Sequence, residues 1–327
     1  MSSPRSSRTR LTAAAAIAVA AALSLTACGS DGKDKTDSAK ADGAQGDVHR
    51  VTDATGAQVD VKNAPKRVVV LSEMDLDSSL ALGVKPVGLT AGRGQQGAPE
   101  YLKDKAQDIP VVGAVTGPDV EKVLAAKPDV ILAGQISDRQ VLTQMRQIAP
   151  TVVTIGKDKD WKSALSLTGK ILNKEADAKK FLADYDKKAG EVKKAIGANA
   201  GKTVSVARYS GKGTAVMQQG VFVSDVLKDL GFKRPGIQNQ KGAGHSTPIS
   251  DEDIEQIDAD WLFIGTLAAK GKDADLFAAL KKKPAYEQLG AVKDGHLTEI
   301  DGSKWTSLGG PLAAMSVLDD IQKAMAK

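Results

Sequence analysis

Thiol chemistry is almost absent from this sequence. Cys28 is the only cysteine in 327 residues, so an intrachain disulfide and a cysteine-rich metal site are excluded. His49, His245 and His296 are the only histidines, and they fall in separate polar segments rather than in a cluster suited to zinc. With three tryptophans and interspersed charges, no basic stripe with interleaved aromatics suggests nucleic acid. Enzyme signatures are also incomplete. Gly92-Arg93-Gly94-Gln95-Gln96-Gly97 spells the dinucleotide fingerprint, but Pro99 follows at once and no strong amphipathic helix opens there. Gly244-His245-Ser246-Thr247-Pro248 lacks the last glycine of a nucleophile elbow.

What is present begins with an address. Arg5, Arg8 and Arg10 precede an apolar stretch from Leu11 to Leu25 that ends in Leu25-Thr26-Ala27-Cys28. That pattern is a secretory leader with a lipoprotein cleavage box, and the run is shorter than the ~20 residues that span hydrocarbon. We expect residues 1–27 to be a signal peptide and Cys28 a lipid anchor on the extracytoplasmic face of the cell membrane. Cleavage removes three arginines and no acid, leaving 42 basic against 40 acidic residues, a formal charge of +2. Residues 28–46 contain no large apolar side chain after the cysteine and read as a flexible tether with a reach of about 25 Å.

The rest has the grammar of an α/β protein. Arg67-Val68-Val69-Val70-Leu71 reads as a buried strand, Asp75–Leu82 as a helix stopped by Gly83, and Pro86-Val87-Gly88-Leu89 as a second strand. A helix over Asp119–Lys127 then leads into the strand Asp129-Val130-Ile131-Leu132-Ala133, so the sheet should be largely parallel. Leu82-Gly83-Val84-Lys85 is echoed by Leu230-Gly231-Phe232-Lys233, and the strand at 129–134 by Asp260-Trp261-Leu262-Phe263-Ile264-Gly265. Two echoes in the same order predict two related lobes, 47–160 and 201–327. Between them, 161–200 keeps helical spacing, and no proline occurs from Thr151 through Arg234. A helix from about Glu175 to Ile196 would be roughly 33 Å long, enough to join the lobes and resist large bending.

Several stretches carry a family resemblance: Pro65-Lys66-Arg67-Val68-Val69, Leu82-Gly83-Val84-Lys85-Pro86-Val87-Gly88, Leu124-Ala125-Ala126-Lys127-Pro128-Asp129-Val130-Ile131 and Ile148-Ala149-Pro150-Thr151-Val152. Ile249-Ser250-Asp251-Glu252, Ile257-Asp258-Ala259-Asp260-Trp261 and Gly309-Gly310-Pro311-Leu312-Ala313-Ala314 complete the series. In this order they resemble the siderophore, cobalamin and haem class of ABC-transporter solute-binding proteins, over Val48 to Lys327. The resemblance implies two Rossmann-like lobes with central, mainly parallel sheets, one long joining helix and a ligand cleft between them. It also implies a monomer without catalytic activity that delivers cargo to a permease and its ATPase subunits.

Within that class the chain looks most like ferric siderophore binders, including those for hydroxamates such as ferrioxamine. Such a cargo already fills iron's coordination shell, so no cofactor or protein metal ligand is needed. Arg208, after the strand Val204–Ala207, resembles an arginine that points at iron-bound oxygens. Tyr209 follows it, but neighbours in an extended strand face opposite ways, so both reach the cleft only if the strand has ended. Trp305, in a polar loop before the last helix, is expected as a pocket wall, and Trp261 as core. Arg93 and Arg139 follow predicted strands, at the sheet edge where open α/β folds bind ligands. For docking on the permease, the resemblance points to Asp77, where the family more often has Glu, with Asp75 or Glu73 as substitutes, and to Glu252 in the second lobe.

Haem or cobalamin remains the alternative cargo, distinguished by whether His245, Met217 or Tyr209 faces the cleft. An exported α/β enzyme or an adhesive lipoprotein is more remote.

Overall fold

The computed structural model describes residues 47–242 and 244–326; the leader, Cys28 and the tether lie outside them. A short antiparallel hairpin, β1 (Val48–Thr52) with β2 (Gln58–Lys62), opens the described chain. The first lobe then winds β3 (Val68–Val70), α1 (Glu73–Ala81), β4 (Gly88–Ala91), β5 (Val111–Ala114), β6 (Gly117–Pro118), α2 (Val120–Ala125), β7 (Val130–Leu132), α3 (Arg139–Ile148) and β8 (Thr151–Val152). These strands form one sheet in the order β6-β5-β4-β3-β7-β8, parallel except for the β5–β6 pair.

After α4 (Trp161–Ile171) and α5 (Glu175–Ala195), the second lobe runs through β9 (Val204–Ser210), β10 (Gly213–Val216), α6 (Phe222–Asp229), β11 (Trp261–Thr266), α7 (Lys272–Leu280), α8 (Pro284–Glu287), α9 (Gly290–Lys293), β12 (Leu297–Asp301), α10 (Gly302–Trp305) and α11 (Pro311–Met325). Its separate sheet has the order β10-β9-β11-β12, with parallel β9–β11 and β11–β12 pairs and antiparallel β9–β10. The sequence echoes therefore occupy matching places. Gly83 and Gly231 both end helices at positive φ, 74° and 83°, a conformation that glycine reaches without a Cβ penalty. The two echoed strands, β7 and β11, each pair in parallel with the first strand of their lobe.

The β-branched runs follow from burial on both faces of the sheets. Val68 and Val70 face one core cluster while Val69 and Leu71 face another, so the alternation of a half-exposed strand is replaced by continuous apolar sequence. The larger cluster is continuous from β3 through α1, α4, α5 and α11 to β9 and β11. Helix α5 spans 21 residues, about 31 Å. Tyr185 anchors it: the ring meets Trp161 edge-on at 4.8 Å, and the hydroxyl donates to Asp229 of α6 at 2.9 Å. Among the described residues no helix is long and apolar enough to cross a membrane.

Candidate ligand cleft

The carboxyl ends of both sheets face a common gap, because each strand of a parallel sheet releases its loop at the same edge. Two adjoining cavities of about 270 and 240 Å³ lie there, both bordered by Arg93, Gln135 and Leu308. Arg93 follows the end of β4 and Gln135 the end of β7, whereas Arg208, expected after its strand, projects from within β9 near its carboxyl end; Leu308 belongs to the loop between α10 and α11. Lys159, Met217, Phe222 and His245 complete much of the second cavity's wall. Sequence reasoning did not single out Gln135, Lys159, Phe222 or Leu308, and only the position of Gln135 after a predicted strand could have suggested it.

Arg208 is half-buried, and its guanidinium donates to the Thr306 carbonyl at 3.0 Å. Burial, and then the Arg93 charge, push its pKa below the ordinary arginine value. Among the described residues no carboxylate forms an ion pair with it. Arg93 is held differently. Its backbone N–H donates to Glu73 Oε1 at 2.7 Å, its guanidinium pairs with the same carboxylate, and Ser307 Oγ donates to Glu73 from the other lobe at 2.8 Å. Gln95, two residues on, donates to the Leu267 carbonyl, a second bond across the gap.

Trp305 keeps a place at the cleft, whereas the expected roles of Tyr209 and Arg139 are corrected. Trp305 has no exposed surface: its ring stacks on Phe263 at 4.7 Å and its indole N–H donates to Asp320 at 2.8 Å. Its buried ring borders the second cavity as part of the floor, because Asp301 caps the short α10 and that helix folds the indole against the sheet. Tyr209 is directed away from the cleft into the core on the far face, 5.7 Å from Phe277, because β9 continues to Ser210 and strand alternation still holds. Arg139 is exposed and borders neither cavity. Asp138 caps α3, and the helical phase puts Val141 at the cavity instead.

The three first-lobe acids expected at the docking surface are buried. Asp77 is fully buried and accepts from Tyr101 Oη at 2.7 Å and from the backbone N–H groups of Leu312 and Ala313 at 2.6 and 3.0 Å. These groups open α11, whose first N–H groups have no partner within the helix, and Asp77 supplies the missing cap from another element. Asp75 is buried too, accepting from Ser72 Oγ at 2.8 Å and from Thr154 Oγ1. Burial pushes both carboxyls up to about 6 against these hydrogen bonds. Glu73 is only 2% exposed and committed to Arg93. Glu252, by contrast, is exposed in the 3₁₀ segment Asp251–Ile257. Met217 and His245 border the cavity, whereas Tyr209 does not. No group of three or more His, Cys, Asp or Glu among the described residues is placed to hold a metal ion.

Two α/β lobes with a shared cleft at the carboxyl ends of their sheets define a two-lobed ligand-binding protein. The chain belongs to the periplasmic binding protein family, whose profile matches residues 68–303. The Bacillus subtilis (strain 168) chain named probable siderophore-binding lipoprotein YfiY is 34% identical over 311 residues, 92% of this chain and 94% of that one. The iron(3+)-hydroxamate-binding protein FhuD of the same strain is 29% identical over 304 residues, covering 88% of this chain and 89% of its own. Among solved structures, Staphylococcus aureus SirA complexed with staphyloferrin B aligns with a TM-score of 0.73 at 29% identity, covering 84% of this chain and 98% of SirA.

Proposed function

We propose that this chain is the extracytoplasmic substrate-binding component of an ABC importer, and that it captures a ferric siderophore and delivers it to a permease driven by ATPase subunits. The observation that carries the reading is Arg208, a half-buried guanidinium without a carboxylate partner, at the edge of an inter-lobe cleft. A planar donor fork there suits the oxygens of a pre-formed iron complex, which needs no protein metal ligand. The names of YfiY, FhuD and SirA's ligand support a siderophore cargo, and FhuD supports a hydroxamate component. Leader residues 1–27, a lipid anchor at Cys28 and a tether to residue 46 would hold a monomeric body of lobes 47–160 and 201–327, joined through 161–200, at the membrane. Glu252 is assigned to permease docking.

One observation favours a second cargo. His245 borders the cleft with Nδ1 against the Ser246 carbonyl, and its other ring nitrogen could serve as an axial haem ligand. Titrating the chain with ferric siderophores, haem and cobalamin, followed by tryptophan fluorescence and the haem absorption band, separates the two. A saturable response to a ferric siderophore is expected. Saturation only by haem would replace the first reading with the second, and no response to any of them would remove both.

A further inference from the structure

The charge of the cleft goes further than its shape. Arg93, Lys159 and Arg208 border the second cavity, and among the described residues no acidic side chain borders it. Among the described residues, the only acid at the first cavity is Asp138, whose Oδ1 already caps α3 by accepting from Gln140 and Val141 N–H. Glu73 balances Arg93 from below the surface, leaving Arg208 with the neutral Thr306 carbonyl.

A second cation stands behind the wall. Arg234 is 8% exposed, and its partners are all neutral: the Met217 carbonyl at 2.8 Å, Ser224 Oγ at 3.1 Å and Gln238 Oε1. Burial pushes its pKa down to about 10, in keeping with a charge removed from water without an ion-pair partner. Met217 is itself a wall residue, so this charge lies immediately beneath the site. A cleft lined by one sign of charge between low-dielectric walls focuses its field on the ligand.

We infer that the cleft selects ferric chelates of net negative charge, such as those with citrate-type hydroxycarboxylate or catecholate donors, over neutral or cationic chelates. Arg208, Arg93 and the buried Arg234 set that preference. The inference rests on the siderophore reading and narrows it: hydroxamate donors are accepted where carboxylates on the same molecule keep the complex anionic. A linear trihydroxamate complex that carries a free amine is disfavoured. The cations in and beneath the site would otherwise have to accept a further positive charge on the ligand, and repulsion of that kind is a means of discrimination.

The test uses the detergent-solubilised full chain and four probes: ferric citrate, a ferric citrate-dihydroxamate, a ferric tris-catecholate and a cationic ferric trihydroxamate. Affinity is measured by calorimetry. At least one anionic probe is expected to bind roughly tenfold or more tightly than the cationic one. Raising salt from about 50 to about 500 mM should erode that ratio in the unmodified chain, which makes the test independent of whether variants fold. Arg208→Gln and Arg93→Gln should narrow it further. Which anionic probe binds best separates hydroxycarboxylate from catecholate recognition. Equal or tighter binding of the cationic trihydroxamate overturns the charge inference and leaves siderophore capture standing. Failure of all four iron complexes overturns both.

Discussion

The carboxylate of Asp77 closes the first turn of a helix that begins far along the chain, accepting the Leu312 backbone N–H at a sequence separation of 235. Glu73, one helical turn earlier on α1, accepts from Ser307 at a separation of 234. The same helix thus fixes both the last helix and the loop that enters the cleft. Acids that would serve a partner from the surface instead hold the lobes in register.

This arrangement has a pH signature. Burial raises the Asp77 carboxyl to about 6 in the folded chain, above the unfolded value near 3.8. Its contribution to stability is therefore complete below about pH 4 and is lost as pH rises through about 6. Asp77→Asn keeps one acceptor oxygen and should be less stable than the parent at pH 4. The gap should shrink by up to about 3 kcal/mol between pH 4 and pH 7, because the variant lacks the ionisation. Denaturant unfolding at the two pH values measures it, and a gap that does not change would contradict the assignment.

Trp305 supports the floor of the site. Trp305→Ala should lose about 3–5 kcal/mol through the cavity it leaves, and Trp305→Phe about 1–2 kcal/mol through the lost bond to Asp320. The phenylalanine variant offers a second reading. Trp161 packs on Tyr185 and Trp261 on His296, and neither borders the cleft cavities. Ligand-dependent fluorescence should therefore disappear in Trp305→Phe while calorimetric binding persists.

Arg208 is a site residue placed at a cost to the unliganded fold, since a half-buried guanidinium without an ion pair is poorly solvated. Arg208→Gln is expected to raise the stability of the ligand-free chain by about 1 kcal/mol while weakening ligand capture. If urea unfolding shows a loss of stability, the bond to Thr306 outweighs desolvation.

Glu252 is exposed, so Glu252→Ala should change stability by no more than about 0.5 kcal/mol and leave ligand affinity alone. Cellular uptake of the iron complex should fall. Normal uptake in that variant would remove Glu252 from the docking surface.

Local sequence determined the two-lobed α/β architecture, because strand burial on both faces demands β-branched runs and helix ends demand glycine where φ is positive. Val68–Val70, Gly83 and Gly231 are explained by their own neighbours. Helix α5 was legible for the same reason: its 21 residues keep helical spacing without proline, which leaves few alternatives. The nearness of Arg208 to a strand's carboxyl end was likewise local, although β9 runs three residues past the expected end at Ala207 to Ser210.

Only the tertiary structure decided which side chains of the site are open to ligand or partner. Asp77 and Glu252 are both acids in or beside a short helical segment, yet one caps a helix from the far end of the chain and the other meets water. Tyr209 lost the cleft because β9 runs on through Ser210, and Trp305 borders it as a fully buried part of the floor because Phe263, on another strand, offers its ring a partner. Burial of a polar or aromatic side chain depends on which distant groups need a hydrogen bond or a packing surface, and sequence spacing does not carry that information.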